Sequence, residues 1–462
     1  MNRLFLSALT MLAVLALVGC QTTGVTPTNP PAANSPTAPA TLANSPAATR
    51  TAPAAPTTPS QNLPQGALVQ SSKARLVVNA PNADLAELAA GNNAFAFDLY
   101  QRLSKGDGNL FYSPYSISLA LAMTYAGAQG NTAQQMANTL HYTLPQNHLH
   151  PAFNSLDRAL ASRGQGAQGK DGKGFRLKVA NALWGQQGYT FLAPFLDVLA
   201  ENYGAGLRVL DFRAPEPARA TINKWVSDQT EGKIPELLGQ GTITPDSKLV
   251  LTNAIYFNAA WASQFQKEQT QDGPFHLLDG STVTAPLMQQ TEFLSYAKGD
   301  GFEALELPYD GNQLSMLIVV PAPGQFQQVQ GTLSADKLHA IAGSMKSAHV
   351  NLTLPKWKFD TTLMLADTLR DMGMTDAVTP GKADFSGMDG THDLLIGQVI
   401  HKAYVAVDET GTEAAAATAI IMVTSAMPGQ PVTVTIDRPF FFFIRDIETG
   451  TILFAGRVVN PK

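Results

Sequence analysis

Apolar residues near the start of the folded stretch recur with helical spacing. Between Asp84 and Leu103, Leu85, Leu88, Phe95, Leu99 and Leu103 are spaced for one apolar side. Because positions three, four and seven apart lie on one side of a helix, this spacing predicts an amphipathic helix. A second, more apolar helix is predicted from Ser116, a residue type that caps helix starts, since Pro114 is a poor residue for a helix interior.

Several later segments have the composition of strands. Apolar, β-branched and aromatic residues, with turn residues between the segments, predict strands at 177–184, 249–261, 302–309, 314–320 and 350–359. The run Phe440–Ile444 is intensely apolar but short, and charged residues bound it, which predicts a buried strand. Residues 220–238 begin with the pattern of an amphipathic helix. The stretch from about residue 82 to residue 462 therefore contains both helices and strands.

One run combines the features of both elements. Residues 409–413 contain a single glycine, Gly411, and four consecutive alanines follow. Alanine favours a helix, whereas the Ile, Val and Thr residues beyond it favour a strand. Read with period two, one face of the run carries Thr412, Ala414, Ala416, Thr418, Ile420 and Met422. The run is therefore either an Ala-rich helix or a strand with one buried face, whose small leading residues would permit late insertion into a packed sheet.

The first twenty residues indicate an export signal. Arg3 is followed by an almost wholly apolar stretch, 4–18, which is too short for a comfortable membrane span and suits a signal-peptide core. Small residues just before Cys20 resemble a bacterial lipoprotein cleavage site. This resemblance implies a signal peptide at 1–19, lipidation of Cys20, and an exported protein anchored to the cell envelope and facing the periplasm or the exterior. A plain signal peptide is the alternative.

The next stretch, 20–80, is rich in Pro, Ala and Thr and has almost no charge. Such a composition buries too little apolar surface to offset the entropy of ordering, so we expect a disordered tether. The remaining residues, 81–462, have the composition of a globular protein throughout. Their number alone would suggest two domains.

Charge and motif content exclude several function classes. The net charge of −5 gives no case for nucleic-acid binding, which requires a basic surface. The single cysteine rules out an intrachain disulfide. The eight histidines form no H-E-x-x-H pattern, and no G-x-S-x-G motif is present. Residues 164–169 match a dinucleotide-binding glycine spacing but do not follow a strand, so we predict no metal site and no cofactor.

Three motifs together resemble the serpins, the protease inhibitors that insert a cleaved loop into a sheet. They are the N-terminal pattern from Phe111 through Ser116 to Thr132, the run at 409–426, and the C-terminal segment 437–461. The resemblance covers 82–462 and implies a single domain of the α+β class. It implies a large, mostly antiparallel sheet A, two smaller sheets, about nine helices and an exposed reactive loop.

The resemblance also assigns roles within the run at 409–426. It implies a hinge that bends and enters sheet A, made of Glu409, Gly411, Thr412, Glu413, Ala414, Ala415, Ala416 and Ala417. Counting from Glu409 in the family's usual way puts the reactive bond at Ser425–Ala426, with Thr424–Ser425 next and Met427–Pro428 third. A small residue before the bond suggests an elastase-like or subtilisin-like target. The hinge carries no charge or bulk at Thr412, which favours inhibition.

Two further sets of residues are implied to control the opening of sheet A. A shutter beneath the sheet would contain Ser113, Ser116, Asn253 and His401, and Trp261 would mark the breach where the loop first enters. The expected partner is a serine protease in a covalent complex, and the protein is expected to be a monomer. The alternatives are a serpin-fold protein that only binds a ligand or partner, and an envelope hydrolase.

Overall fold

The computed structural model describes residues 63–169, 171–412 and 430–462. The signal peptide, Cys20, most of the expected tether, and hinge and reactive-bond residues 413–417 and 424–426 lie outside these ranges. None of the described helices combines the length and hydrophobicity that crossing a membrane requires.

Ten α-helices are present in the described ranges, where about nine were expected. They are α1 Asn82–Leu103, α2 Pro114–Tyr125, α3 Gly130–Leu140, α4 Gln146–Ser162, α5 Ala193–Val198, α6 Pro215–Gln229, α7 Phe326–Thr332, α8 Ala335–Ser344, α9 Ala366–Asp371 and α10 Ser386–Asp389. A short π-helical turn, Leu199–Tyr203, continues α5. At the start of α2, the Ser113 side chain accepts the backbone N–H of Ser116 and Pro114 occupies the first turn. Ser113, and not Ser116 as expected, is therefore the cap of this helix.

The strands form two hydrogen-bonded sheets. Sheet A has seven strands in the order β1-β4-β3-β5-β13-β12-β11. Its strands are β1 Ala67–Val69, β3 Arg176–Gln186, β4 Leu207–Leu210, β5 Leu249–Ala260, β11 Trp357–Met364, β12 Ile396–Asp408 and β13 Gly411–Thr412. The second sheet has the order β14-β10-β7-β8-β9-β15-β16-β2, with β6 paired to β7. Its strands are β2 Leu110–Tyr112, β6 Gln271–His276, β7 Thr282–Gly299, β8 Phe302–Pro308, β9 Leu314–Pro321, β10 Lys346–Pro355, β14 Val432–Thr435, β15 Phe440–Asp446 and β16 Ile452–Val458.

This arrangement confirms the α+β class with a mostly antiparallel sheet A. The two smaller sheets that were expected are joined into one, and the reason is the length of β7. Its first part pairs with β6, its middle with β10 and its end with β8. One 18-residue strand therefore carries the hydrogen-bond ladder from one group of strands to the other.

Aromatic packing joins α1 and β2 to the second sheet. The Phe111 ring stacks on Phe442 and Phe454, with centroid distances of 5.6 and 5.0 Å. Phe97 of α1 contacts Phe443 at 5.6 Å. The apolar run at 440–444 is thus the buried strand β15, and α1 packs against it.

Helix α6 lies across sheet A. Its buried residues Ala218, Ile222 and Val226 form a separate apolar cluster with Trp184 of β3 and other outward-facing residues of β3, β5 and β12. The sheet is therefore covered on this face by α6 and on the other by the main core. Any change in the spacing of the central strands must be accommodated by α6.

The folded part begins earlier than expected. Residues 63–80 were assigned to the disordered tether, yet β1 pairs with the edge strand β4. Beyond β1, the Arg75 guanidinium donates to Asn154 and Asp157 of α4 at 2.9 and 2.7 Å. Ser155 closes the segment by exchanging hydrogen bonds with the backbone at Val78 and Ala80. Backbone pairing and specific polar contacts, together with burial of Val69 and Ala80 in the main core, thus order this segment, and an argument from composition misses them.

We predict that a chain starting at residue 81 unfolds at a lower temperature than one starting at residue 63. The single change Arg75→Ala should lower the free energy of unfolding by about 1–2 kcal/mol, because it removes two hydrogen bonds to charged or amide oxygens. Thermal melts of the three proteins test this. Lys105→Ala, a change at an exposed lysine, is the control and should leave the melt unchanged.

Candidate functional site

The candidate site lies along the facing edges of the central strands β5 and β12, and we call the line between them the gap. These strands pair directly, and in parallel, from Leu249 to Ile255 on β5 and from Ile396 to Ala403 on β12. Beyond that point β13 lies between them and is antiparallel to both. The end of the gap beyond Ile255 and Ala403, which we call its upper end, is therefore filled by Gly411 and Thr412. These are the first two residues of the stretch that leads into the loop.

Close packing of the backbone explains the glycine in this position. Gly411 pairs with Asp408 on one side and Ala260 on the other. Its φ is +151°, and a Cβ there would overlap the carbonyl oxygen of Ala259 and lie 2.8 Å from the Cα of Ala260. A side chain at residue 411 is thus incompatible with this position of the hinge.

Thr412 is buried below the glycine and has a specific partner. Its side chain is 1% exposed, and its hydroxyl lies 2.8 Å from the Tyr309 hydroxyl. The Tyr309 ring stacks on Trp261 with a centroid distance of 4.7 Å and an interplanar angle of 10°. Burial raises the pKa of Tyr309, so this phenol stays neutral. The pocket around Thr412 is therefore shaped for a small, uncharged side chain.

Trp261 holds the chain that precedes the hinge. Its indole N–H donates to the carbonyl of Asp408 at 3.0 Å, and its backbone N–H donates to the carbonyl of Thr410 at 2.9 Å. The sequence placed Trp261 at the breach, and in the structure it lies beside the start of β13.

Glu409 is the anchor of the same region. It is 3% exposed, and Lys356 forms an ion pair with it at 2.9 Å. The Thr270 hydroxyl donates to its carboxylate at 2.8 Å, and the backbone N–H of Phe265 donates to its carbonyl at 2.9 Å. Burial opposes ionisation of this carboxyl group, but the bonds from Lys356 and Thr270 outweigh it, and the pKa of Glu409 is lowered.

The four predicted shutter residues meet in one buried cluster. The Ser116 hydroxyl donates to the side-chain oxygen of Asn253 at 2.8 Å, and the same oxygen contacts Nδ1 of His401. The backbone N–H of Ser113 donates to Nε2 of His401 at 3.2 Å. Asn253 also donates to Asn181 of β3, which in turn donates to the carbonyl of Ser116 at 3.1 Å. The cluster lies where β5 and β12 pair directly, since Asn253 and His401 are partners in register.

His401 is held in its neutral form. Because Nε2 accepts a backbone N–H, the ring proton lies on Nδ1 and is donated to Asn253. Complete burial lowers the pKa of His401 to about 3. Protonation would place a second N–H opposite that of Ser113 and would remove this hydrogen bond.

Sequence reasoning missed four members of the site. They are Asn181, Thr270, Tyr309 and Lys356. Each contacts its partner across 53 or more positions of the chain, so no local pattern indicates it. Lys356 gives the one weak signal, as a lysine between two strand-like segments.

Within the described ranges, no serine side chain is hydrogen-bonded to a histidine ring. The hydroxyl groups bonded to a histidine ring there are those of Tyr203, beside His150, and Thr282, beside His276.

Comparison with known proteins assigns the family. The family model of the serpins, described as serine protease inhibitors, matches residues 90–461. The chain belongs to the serpin family. The gap between β5 and β12 is therefore the middle of this serpin's sheet A.

Among relatives of this serpin, human leukocyte elastase inhibitor is 40% identical over 388 residues, covering 81% of this chain and 100% of the relative. An uncharacterized serpin-like protein of Thermococcus kodakarensis is 41% identical, covering 80% of this chain and 85% of the relative. The crystal structure of the thermophilic serpin tengpin in its native state superposes on this chain with a TM-score of 0.76. Its sequence is 28% identical to this one, and the match covers 86% of this chain and 100% of tengpin. Human thyroxine-binding globulin, solved with thyroxine, is 31% identical with a TM-score of 0.73, covering 82% and 100%.

The buried histidines give this serpin a predictable dependence of stability on pH. Burial lowers the pKa of His401 from 6.5 to about 3 and that of His150 from 6.5 to about 4. Below pH 6.5 the unfolded chain therefore binds more protons than the folded one. The contribution of each histidine is complete above pH 6.5 and is lost as the pH falls towards its folded-state pKa, with a slope of up to about 1.4 kcal/mol per pH unit.

We expect His401→Gln and His150→Gln each to reduce this slope, measured by denaturant unfolding at several pH values from 7 to 4. His401→Gln also lowers stability at pH 7, because it disrupts the cluster, but the slope isolates the titration. An unchanged slope in both variants would contradict the assignment of neutral, buried rings.

Proposed function

We propose that this serpin is a suicide inhibitor of a serine protease. The observation that carries the proposal is the pairing of Gly411 and Thr412 with both β5 and β12. The loop that follows thus starts from inside the sheet that it would enter. Leukocyte elastase inhibitor, by its name an inhibitor of a protease, supports the same class of activity.

The inserted state follows from continuing the pairing of Gly411 and Thr412 with β5 and β12. A chain that continues from Thr412 antiparallel to both strands advances one residue along each strand per residue inserted. Six residues on, Thr418 is level with Asn253 of β5 and with His401 of β12. Since alternate residues share a face, the Thr418 side chain points to the same side as Thr412, towards the shutter cluster. In this state the Thr418 hydroxyl takes the place between Asn253 and His401, which now contact each other.

Insertion is favourable because it replaces one ladder with two. The parallel pairing of β5 with β12 is lost, and antiparallel ladders form on both sides of the inserted strand. A net hydrogen bond contributes about 0.5–1.5 kcal/mol, so inserting residues 413–425 releases on the order of 10 kcal/mol. Burial of small apolar side chains adds to this.

The chemistry is supplied by the protease. Its nucleophilic serine oxygen attacks the carbonyl carbon of Ser425, the peptide bond to Ala426 breaks, and the new amine of Ala426 takes the proton. An ester then joins the protease to Ser425. Insertion of the freed strand carries the attached protease away and distorts it before water hydrolyses the ester. Thr424–Ser425 and Met427–Pro428 are the alternative bonds, and a small residue at the bond favours an elastase-like or subtilisin-like target.

We also propose that the protein is exported and anchored to the cell envelope by a lipid on Cys20. The apolar stretch 4–18 and the position of the single cysteine support this.

A ligand-binding role without protease trapping is the second candidate. The similarity to thyroxine-binding globulin favours it, since that protein was solved with thyroxine bound. The hinge favours inhibition, because the pocket at Thr412 holds a small, uncharged side chain that can be buried at low cost.

The first experiment mixes the purified protein with elastase and, separately, with subtilisin. We expect a complex that survives SDS, and mass spectrometry of the C-terminal fragment should show Ala426 as its first residue. Thr412→Arg should be cleaved without trapping, because a buried, unpaired guanidinium beside Tyr309 opposes insertion. The control Thr412→Ser keeps the hydroxyl and should still trap. If both proteases cleave the loop and remain active, the inhibitor proposal fails.

A second experiment tests insertion itself. After cleavage, the protein should unfold at a higher temperature than the intact form. Thr418→Val should reduce this gain by about 1–3 kcal/mol, because Asn253 and His401 are then separated without a new partner. Thr418→Ser is the matched control and should retain the gain. A cleaved form that melts no higher than the intact one would show that the loop does not insert.

A further inference from the structure

A glycine-rich segment, 163–169, lies against the upper end of β5. β3 begins at Arg176, opposite Asn258, and therefore does not reach Ala260, the last residue of β5. The carbonyl of Gln168 takes the place of a further β3 residue, because it accepts the backbone N–H of Ala260 at 3.1 Å. The segment thus continues the pairing of β5 where β3 ends.

The segment binds the edge of β5 that faces away from the hinge. Trp261, the residue after Ala260, donates its backbone N–H to Thr410 on the hinge side. On the other side the backbones approach closely, since a Cβ at Gly169 would overlap the carbonyl oxygen of Gly174 and lie 2.6 Å from the side-chain oxygen of Asn258. A glycine at residue 169 therefore allows this contact.

Asp310 holds the segment and the end of β5 together. Its carboxylate accepts the backbone N–H of Gln168 at 2.7 Å, and its own backbone N–H donates to the carbonyl of Ala260 at 2.9 Å. Asp310 directly follows Tyr309, whose hydroxyl lies 2.8 Å from that of Thr412. We call the segment 163–169 together with Asp310 the β5 clamp. The turn that contains Asp310 contacts both the end of β5 and the hinge residue beside it.

The β5 clamp is fixed to the second sheet. Asp310 lies in the turn between β8 and β9, which are strands of that sheet. The Arg163 side chain donates from Nε to Asp446, the last residue of β15, at 2.7 Å. The backbone N–H of Gly164 donates to the side chain of Gln313, in the same turn as Asp310, at 2.8 Å. The upper end of β5 is therefore attached to the second sheet through the clamp.

The upper end of β12 is attached to the second sheet as well. Lys356, the ion-pair partner of Glu409, donates its backbone N–H to the carbonyl of Pro286 on β7 at 2.9 Å. At this level β13 lies between β5 and β12, and neighbouring strands are about 4.8 Å apart, so β5 and β12 are about 10 Å apart. The second sheet thus holds both strands at the width that one further strand needs.

A closed entrance is the competing arrangement. The parallel ladder ends at Ile255 and Ala403, and in the same register residues 256–259 would pair directly with 404–407 if β5 moved sideways by one strand. That pairing would expel Gly411 and Thr412 from the sheet. A cleaved loop would then have to part the strands at their upper end before its first residue could enter.

We propose that the β5 clamp holds the upper end of β5 one strand away from β12 and so keeps the entrance of the gap open for the cleaved loop. The inference rests on the proposed function. Asp310 acts through β5 and is a positioning residue. Its loss should slow insertion of the cut loop and leave the cutting itself unchanged.

The test uses whichever of elastase and subtilisin the full-length protein traps. Asp310→Ala removes the acceptor of the Gln168 N–H, and Asp310→Asn keeps an oxygen in that place. Gly169→Ala displaces the segment independently, through the overlap with Gly174. Asp300→Ala is the matched control, at an exposed aspartate in the turn between β7 and β8.

Three measurements separate insertion from cleavage. The first is the ratio of cleaved, released protein to trapped protein. The second is the rate of loop cleavage with Thr412→Arg added to each variant, because trapping does not then compete with release. The third is hydrogen exchange at the Trp261 amide in the intact protein, which needs no protease.

We expect Asp310→Ala to raise the ratio of released to trapped protein by about 2- to 12-fold, the factor that corresponds to one net hydrogen bond. The Trp261 amide should exchange faster, because the hinge leaves the sheet more often. The cleavage rate in the Thr412→Arg background should not change. Gly169→Ala should act in the same direction as Asp310→Ala, whereas Asp310→Asn and Asp300→Ala should match the parent.

Several results would overturn the clamp inference. An unchanged ratio in both Asp310→Ala and Gly169→Ala would do so directly. If Asp310→Asn behaves like Asp310→Ala, the hydrogen bond from Gln168 is not the cause, and slower cleavage in the Thr412→Arg background would show that Asp310 acts on presentation of the loop. If the parent traps neither protease, the proposed function fails, and exchange at Trp261 still decides whether the clamp holds the hinge. A parent that traps, with equal Trp261 exchange in all variants, refutes the clamp alone.

Discussion

The structure depends on two strands that are paired at one end and separated at the other. β5 and β12 share a parallel ladder over their lower part, and the backbone of Gly411 and Thr412 fills the space above it. Buried N–H and C=O groups need partners, so the upper part of the gap cannot remain empty. Among the residues that the structure describes, Gly411 and Thr412 of the hinge supply those partners. The parallel ladder ends at Ile255 and Ala403, and the pairing with β13 begins at Ala259 and Val407. In the proposed mechanism a longer strand replaces the parallel ladder.

Two polar clusters lie at the two ends of this gap and oppose its opening in different ways. At the lower end one oxygen of Asn253 accepts from both Ser116 and His401, so separating β5 from β12 leaves buried polar atoms without partners. At the upper end Glu409 is fixed by an ion pair with Lys356 and by the backbone of the segment after β5. The first cluster sets the cost of parting the strands, and the second fixes where the hinge begins.

The two ends of the loop are anchored in different sheets, so the two parts that a cut would produce are not equivalent. On one side the chain leaves from β13 in sheet A, and on the other it rejoins the fold through β14, which pairs in parallel with β10. A cut between them releases the first part from the second sheet but leaves β14 in its ladder. In the proposed mechanism, only the part before the cut then enters sheet A. The long strand β7, which joins the ladders of β6, β10 and β8, makes the second sheet a firm base for that anchor.

The sequence by itself determined the features that are local. Helical spacing indicated α1 and the apolar run indicated β15, and the structure contains both. The composition of 409–426 left an Ala-rich helix and an inserting strand both open, and insertion of its alanines stays a prediction. The family resemblance, carried by motifs far apart in the chain, brought Ser113, Ser116, Asn253 and His401 together before any coordinates did. These inferences succeeded because periodicity, turn chemistry and family motifs are all written in short stretches of residues.

Only the tertiary structure decided which residues contact the hinge residues Glu409 and Thr412. Lys356 and Thr270 are recognised only by their contacts with Glu409, and Tyr309 only by its contact with Thr412, because each pair is far apart in sequence. The start of the folded part was also decided in three dimensions. Residues 63–80 belong to a stretch, 20–80, whose overall Pro, Ala and Thr content predicts disorder. In the structure Arg75 contacts Asn154 and Asp157 on α4, and β1 pairs with the edge strand β4. Hydrogen bonds and ion pairs depend on distances between particular atoms, and only the folded chain sets those distances.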